Sequence, residues 1–584
     1  VQILGDIFDE NTTSSRLYFN NCYSFTNETD KFNVSLLNNL GENNQINGTI
    51  SIDETAGKRN ATGINNVFIG IKSGSSITSA SHNTLVGFKT GLVMTAADNN
   101  VCLGSYVGKD ITTAQKNTII GSNAAIAMTS GSENIIAGYN ATAVITTGNK
   151  NIIMGSTTGS SLSTGNLNVF IGHNSAINTT SASRNIFLGG SIGLTNQTGN
   201  DNTYIGYNTG NNSITSNNTI LIGKNTGYTN LSSNIVAVGN EAGYNTLNST
   251  KSTYIGHNSG YNSSGECNTY IGHKSGYSTP SSSGEFNIAI GNESGYSLTS
   301  GSRNVLIGST RSVNGTSNDS AGWLLNTGSD NIYIGSNTGA KSTISTNNVI
   351  IGSDVGTELT TSSNSILIGK NTGNNLTTNG NSIIIGSESG NNNTNTNTLI
   401  IGQNSGDGYT GENAFTIGHS AGKNVQGINN MFIGNHSGSS VTSKSGVFNL
   451  ALGHYTGSNL VEGSRNIIVG SGSSILSTGR QISSGNDNTL LGYNTGSSIQ
   501  AGTGNTLIGS NTGANISSGS HNIGLGYESA FTLGTGINNV CIGKETGYKL
   551  EGGSNNILSG TQAGYNIISG ANNINIGNQA GFQA

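Results

Sequence analysis

Histidines recur at one place in a repeated sequence, and imidazole is the side chain best suited to bind metals and move protons near neutral pH. Five of the eight histidines directly follow a glycine that ends a short apolar segment: His173, His257, His273, His419 and His454. His257 and His273 are one repeat apart, so stacked repeats would let them share a metal ion. Other repeats hold Ser, Tyr, Lys, Asn or Gln at this position, which is typical of a solvated site. We therefore predict no metal site and no cofactor.

The sequence lacks recurring catalytic patterns. No pair of carboxylates recurs, and neither a nucleophile elbow nor a repeated calcium-binding motif is present. The 28 acidic and 23 basic residues are scattered singly, for a net charge of −5. Without a basic surface we expect no nucleic-acid partner, and without an apolar run of roughly 18 residues we expect no membrane insertion. The sequence predicts a protein that is not an enzyme and has no catalytic residues.

The secondary structure around these histidines is predicted by an internal repeat. Thirty glycines, from Gly70 to Gly577, each end a segment such as NTLIG, and most intervals between them are 17 residues. We call them anchor glycines. Stacked units of this length bury a shared core that no single unit can bury alone. The repeat predicts an all-β protein, a parallel β-roll or β-solenoid of about 30 coils, mostly of 17 residues each, over residues 63–584.

Residues 1–62 do not repeat and carry more charged and aromatic residues. We interpret them as an N-terminal cap or docking segment, because the bare end of a solenoid exposes a strand edge. If this segment covers the last coil of another molecule, a head-to-tail filament results. The longest interval between anchor glycines contains the only tryptophan, Trp323, in an insertion that is either a contact loop or a loop held by a packed Trp.

The strand before each anchor glycine is apolar on both sides. Residues one and three before the glycine, such as Val67 and Ile69, are expected to point into the coil, and a second strand is expected in the segment around Ile77. The residue two before the glycine is also bulky, and a strand of this kind is covered on both faces. We therefore predict that these residues pack against neighbouring chains: Phe68, Leu85, Phe170, Phe187, Tyr204, Tyr254, Tyr270, Tyr333 and Phe432.

Asparagine occupies the position four before most anchor glycines. Stacked in register, such amides hydrogen-bond one another as Asn ladders do in cross-β structures. A turn preference without a ladder is the alternative. The predicted ladder includes Asn66, Asn83, Asn100, Asn117, Asn134, Asn151 and Asn505.

N-glycosylation sequons are numerous, at a frequency that an Asn-, Ser- and Thr-rich chain reaches by chance. The candidate glycosylation residues are Asn11, Asn27, Asn33, Asn47, Asn60, Asn262 and Asn515.

The segments NTLIG, NVFIG, NTYIG and NIYIG resemble the NSxAIG-type repeat of the YadA-like head domains of trimeric autotransporter adhesins, and similar repeats of phage and large-virus tail fibres. The resemblance covers about residues 62–584 and depends on many copies of a short motif. It implies a left-handed parallel β-roll in which three chains associate around a long axis.

From this resemblance we expect a structural and adhesive, extracellular fibre or filament subunit on a cell or virion surface. Its expected partners are itself, as a homotrimer or a head-to-tail filament, and host surface glycans or proteins. An ice-binding or other flat-surface recognition solenoid is the alternative, since Thr and Asn arrays present a regular lattice.

Overall fold

The computed structural model describes residues 49–583 except 54, 279–281, 310–318, 394–395 and 440–444. It shows an all-β parallel solenoid of about 30 coils with a spacing near 17 residues. The chain forms two compact units, Val1–Glu266 and Cys267–Ala584. Over the described ranges there is no helix with the length and apolarity needed to cross a membrane.

The strands are short, mostly three residues, and one precedes each anchor glycine. In the first unit they are β1 Ile50–Ile52, β2 Val67–Ile69, β3 Thr84–Val86, β4 Val101–Leu103, β5 Thr118–Ile120, β6 Ile135–Ala137, β7 Ile152–Met154, β8 Val169–Ile171, β9 Ile186–Leu188, β10 Thr203–Ile205, β11 Ile220–Ile222, β12 Val236–Val238 and β13 Thr253–Ile255.

The second unit continues the same pattern. Its strands are β14 Thr269–Ile271, β15 Ile288–Ile290, β16 Val305–Ile307, β17 Ile332–Ile334, β18 Val349–Ser353, β19 Thr361–Ser363, β20 Ile366–Lys370, β21 Thr378–Gly380, β22 Ile383–Ile385, β23 Leu399–Ile401, β24 Phe415–Ile417, β25 Met431–Ile433, β26 Leu450–Leu452, β27 Ile467–Ser471, β28 Thr489–Tyr493, β29 Thr506–Ile508, β30 Ile523–Leu525, β31 Val540–Ile542, β32 Ile557–Ser559 and β33 Ile574–Ile576.

Within each unit, the strands that precede anchor glycines pair in parallel and in register with those of the next coil. Phe68 of β2 pairs with Leu85 of β3, for example. The segments between strands are turns and bends, but their backbone also pairs between coils, as from the amide of Gly74 to the carbonyl of Thr90 at 2.9 Å. Among the described residues, the expected second strand is present only as β19 and β21, which pair with each other. The solenoid is therefore held by pairing around the whole coil.

The first coil begins upstream of the predicted boundary at residue 62. Strand β1 pairs in register with β2, so Ile50 lies opposite Val67. Residues 49–62 therefore belong to the solenoid. The remainder of the proposed cap, residues 1–48, lies outside the described residues.

The inward and outward faces of the main strands are the reverse of those predicted. The residue two before the anchor glycine points into the coil, and Phe68, Leu85, Phe170, Phe187, Tyr204, Tyr254, Tyr270, Tyr333 and Phe432 are each 0–1% exposed. They cannot pack against neighbouring chains, because their own chain encloses them. The flanking residues point outward: on β7, Ile152 is 36% and Met154 43% exposed.

Large inward side chains stack along the core at the strand spacing. The rings of Phe170 and Phe187 are 4.9 Å apart, and those of Phe187 and Tyr204 are 4.7 Å apart and nearly parallel. Ile77 and Met94, each seven residues after an anchor glycine, fill the opposite side of the coil and are fully buried. Most coils thus contribute one inward side chain from the strand and another from the following bend, and some of these side chains are small, as at Ala237 and Ala451.

The anchor glycines are required by both conformation and space. Gly104 has φ +130°, a backbone conformation that only glycine adopts readily. A Cβ at this position would lie 1.5 Å from the carbonyl oxygen of Gly121 in the next coil. The repeat therefore keeps glycine wherever the strand turns closely past its neighbour.

Candidate interaction surfaces

The predicted asparagine ladder is present, and it lies inside the coil. Asn83 donates from Nδ2 to Oδ1 of Asn66 at 3.2 Å, and its backbone amide donates to the same oxygen at 2.9 Å. Its Nδ2 also donates to the carbonyl of Ala97 at 2.8 Å. The same bond joins Asn83, Asn100, Asn117, Asn134 and Asn151 in succession, and Asn505 to Asn488. Because these hydrogen bonds give each buried amide its partners, the asparagine side chains form part of the core.

The five predicted histidines, His173, His257, His273, His419 and His454, are all exposed. His257 belongs to the first unit and His273 to the second. His436 was not among the histidines singled out from the sequence. Its ring stacks on that of Tyr455 at a centroid distance of 4.6 Å. Burial lowers the pKa of His436, and the neighbouring His419 and His454 lower it further. In the part of the chain that the structure describes, no three His, Cys, Asp or Glu side chains are grouped to hold a metal.

The candidate glycosylation residues differ in accessibility. Asn11, Asn27, Asn33 and Asn47 lie outside the described residues. Asn60 is 3% exposed and its side chain hydrogen-bonds both the amide and the carbonyl of Gly63, and Asn262 is 8% exposed. Asn515 is exposed. Since a glycan needs an accessible amide nitrogen, Asn515 is the only one of these three whose environment suits the modification.

The outward residues of the main strands form a surface that we call the apolar face. It consists of the residues one and three before each anchor glycine. Both positions hold Ile, Val, Leu, Thr, Met, Phe, Ala or Ser in every strand from β2 to β13 and in the corresponding strands of the second unit. In the first unit the face extends roughly 60 Å at about 4.8 Å per strand. Soluble monomers rarely expose an apolar band of this extent.

Aromatic residues five positions after the anchor glycine form rows of parallel, half-buried rings. In the first stack, the ring of Tyr244 is 5.2 Å from that of Tyr228 and 4.8 Å from that of Tyr261. The sequence analysis missed these rows, although the recurring Gly-Tyr pairs in adjacent repeats were a usable signal. We call this row and its two counterparts in the second unit the aromatic stacks.

The second unit contains the other two aromatic stacks. In the second stack Tyr296 lies 5.1 Å from Tyr277 and 5.3 Å from Trp323, so the tryptophan of the insertion packs on the ring of the preceding coil. The third stack contains four rings, with ring separations of 4.9–5.2 Å. It contains Phe531, Tyr548, Tyr565 and Phe582.

A polar column runs beside the third stack, two residues after each anchor glycine. Gln579 donates to Gln562 at 3.0 Å, and Gln562 donates to Glu545 at 2.8 Å. Burial raises the pKa of Tyr548, and the neighbouring groups Glu528, Tyr565 and Glu545 raise it further.

Three coils display a bulky apolar residue five positions before the anchor glycine, where most coils have a polar one. Leu167, Phe286 and Phe448 are 52%, 55% and 56% exposed and adopt a φ near +60°, which is unfavourable for bulky residues. The next coil has Arg at this position and the following coil Asp. Arg303 donates to both carboxylate oxygens of Asp330, at 2.6 and 2.8 Å, and the pairs Arg184–Asp201 and Arg465–Asp487 repeat this geometry.

These features define the class of the protein as a parallel β-solenoid with a buried amide ladder, an apolar sheet face and aromatic stacks. No protein-family model, curated protein or solved structure matches the chain.

Proposed function

We propose that the chain is a structural and adhesive subunit of an extracellular fibre or filament on a cell or virion surface, with no catalytic role. The repeat of NTLIG-like segments and its resemblance to adhesin heads and tail fibres motivate this role. The observation that carries it is the apolar face, because a fibre needs a surface through which chains associate. In this proposal the partner on that face is a second copy of the chain.

The regularity of the apolar face favours a second copy. Its side chains recur at the strand spacing, so a matching surface needs the same period, which another apolar face supplies. Two such faces pack as sheets do, about 10 Å apart, with interdigitated β-branched side chains. Neither outward position carries a charge, so like charges do not oppose the contact. Burial of paired apolar faces stabilises association in proportion to the area removed from water.

Charged residues placed on the apolar face test this proposal. Alternate strands are chosen so that new carboxylates lie about two strand spacings apart, which limits repulsion within one chain. Glu replaces both outward residues of β7, β9 and β11, at Ile152, Met154, Ile186, Leu188, Ile220 and Ile222. We expect the unaltered chain to sediment as an oligomer and the variant as a monomer, with unchanged circular dichroism.

The control is Leu231→Glu, which adds a charge to a residue that is 48% exposed but lies off the apolar face. This variant should sediment like the unaltered chain. An unaltered chain that is monomeric, or a face variant that remains oligomeric, contradicts association through the apolar face.

A hydroxyl array supports the second candidate, an ice-binding or other flat-surface recognition solenoid. In successive coils, Thr112 Oγ1 donates to the carbonyl of Thr129 at 3.0 Å, and Thr129 Oγ1 donates to that of Thr146 at 3.2 Å. These bonds hold each hydroxyl in one orientation at the coil spacing. Thermal hysteresis in the purified protein would favour this candidate, and freezing behaviour identical to that of a matched control protein would exclude ice binding.

A further inference from the structure

We infer that the third aromatic stack binds an extended β-1,4-linked polysaccharide, of the cellulose or chitin type. The inference rests on the proposed adhesive function and names the chemistry of the surface that the fibre would recognise. Three observations carry it: the spacing of the rings, the parts of the rings that are accessible, and the polar column beside the third stack.

The ring spacing matches the repeat of an extended sugar chain. Each coil contributes one ring, so the rings of the third stack follow one another at 4.9–5.2 Å. A β-1,4-linked chain in its extended form advances one pyranose ring over nearly the same distance. Laid along the stack, such a chain meets one aromatic side chain with each sugar. An α-linked chain coils and loses this match after a few sugars.

The accessible part of each ring suits an oxygen-rich partner. Rings that stack face to face present their edges outward, and the edge of an aromatic ring carries partial positive charge. Sugar hydroxyl oxygens are attracted to such edges. Tyr548 and Tyr565 add phenol hydroxyls, each of which donates one hydrogen bond and accepts others.

The polar column supplies a second line of contacts at the same spacing. Glu545, Gln562 and Gln579 each present amide or carboxylate groups in successive coils. These groups bond readily to sugar hydroxyls, which both donate and accept. A strip of ring edges bordered by amides and carboxylates thus offers both kinds of contact that each sugar needs.

The fold itself does not require an aromatic residue at this position. Ser75, Lys109 and Asn391 stand five residues after their anchor glycines in other coils, and those coils pair with their neighbours in the same way. The grouping of aromatic residues in adjacent coils is therefore a property of the surface.

Binding is tested with the full chain on insoluble cellulose and insoluble chitin, and with soluble cellohexaose and chitohexaose. Maltohexaose, which is α-linked, is the ligand control. The test variant carries Tyr548→Ser and Tyr565→Ser, and serine occurs naturally at the same position in other coils. The matched control carries Tyr139→Ser and Tyr207→Ser, since these tyrosines are 55% and 53% exposed and lie outside the stacks.

We expect the unaltered chain and the matched control to bind, and the stack variant to bind about tenfold more weakly, as for the loss of an interface aromatic residue.

The outcomes separate this inference from the proposed function. Binding to one polymer alone identifies whether the cellulose or the chitin type is preferred. No binding of the unaltered chain to either polymer, or equal binding of the stack variant, overturns the inference. Sedimentation of the same samples reports on self-association, so a chain that forms oligomers without binding either polymer retains the fibre proposal and loses this one.

Discussion

The buried asparagine is the side chain that connects each coil most completely to its neighbours. Asn117 makes six hydrogen bonds: it donates to Asn100 from both its backbone and its side-chain amide, donates to the carbonyl of Gly131, accepts two bonds from Asn134, and accepts one at its own carbonyl from the amide of Val101. Because the site is dry, each group that loses its partner costs about 1–3 kcal/mol. The ladder therefore fixes coil register as well as adding stability.

The change Asn117→Asp should destabilise the protein by about 3 kcal/mol or more. It keeps the side-chain size but replaces a donor with an acceptor, which leaves Asn100 Oδ1 and the Gly131 carbonyl short of a partner. Asn117→Ser should cost less, since Ser365 and Ser382 occupy the same position. Urea unfolding measures the difference. The control is Asn99→Asp at an exposed residue, and equal midpoints for the two Asp variants would contradict a structural role of the ladder.

The sequence did not determine which side chains of the main strands point into the coil. A strand of three apolar residues has no amphipathic signal, so the inward side of Val67, Phe68 and Ile69 was assigned wrongly. The position of Asn66 contained the missing information. It is two residues before Phe68, and alternate residues of a strand share a face. Had the ladder been placed inside the coil, Phe68 would have been placed there too.

At the scale of the element, the strand and its anchor glycine act together. The strand leaves the sheet through a backbone conformation reserved for glycine, and the next coil passes too closely for a Cβ. This explains why the interval between anchor glycines predicted the coil so well. The sequence could not show that most described coils lack the second strand. Its segment has an inward apolar residue, such as Ile77, whether it forms a strand or a bend.

The change Gly104→Ala should open the coils on either side and cost about 3 kcal/mol or more, from strain and from the collision with the Gly121 carbonyl. Hydrogen exchange should show lost protection in β4 and β5 first. Gly190→Ala is the control, since its Cβ would make ordinary contacts with the ring of Tyr207 at 3.5 Å and the carbonyl oxygen of His173 at 3.9 Å, and its φ lies outside the left-handed region. Equal protection in both variants would show that the anchor position tolerates side chains.

At the scale of the whole molecule, the fold buries ionisable groups in their neutral forms. Five of the tyrosines in the described ranges are fully buried, and burial raises the pKa of Tyr409 to about 12. Burial also raises the pKa of Cys102 and of Cys541 to about 12. Each group prefers its protonated form more strongly in the folded chain than in the unfolded one. Their contribution to stability is therefore present at neutral pH and is lost at high pH.

Stability should stay level between about pH 7 and 9 and fall as the pH rises from about 9 to 12. The loss begins near the ordinary pKa values of 9.0 for Cys and 10.0 for Tyr, and continues to the raised values. Each group contributes about 1.4 kcal/mol per pH unit in that window. Denaturant midpoints measured against pH test this, with tyrosinate absorbance recorded in parallel. If all 20 tyrosines ionise together near pH 10 while the chain stays folded, the prediction fails.

The whole-molecule surfaces were harder to predict than the coil. The sequence predicted that the residue two before each anchor glycine packs against neighbouring chains, but in the named strands that residue lies inside its own coil. The aromatic stacks escaped notice because Tyr244 and Tyr261 become neighbours only when their coils are in register. Residues one coil apart in the sequence can be recognised as neighbours on the surface only when the number of residues per coil is known.

The paired occurrence of Phe286 with Arg303 and of Phe448 with Arg465 has a consequence for how this gene can change. The distance along the chain from Phe286 to Phe448 equals that from Arg303 to Arg465. The segment GEFNIAIG around Phe286 is a close variant of GVFNLALG around Phe448, and GSRNVLIG around Arg303 is a close variant of GSRNIIVG around Arg465. Copying a stretch of DNA that encodes complete coils leaves every hydrogen-bonding partner in place. Unequal recombination can therefore lengthen or shorten the protein, or copy a surface feature to a new position, while the hydrogen bonds between coils are retained.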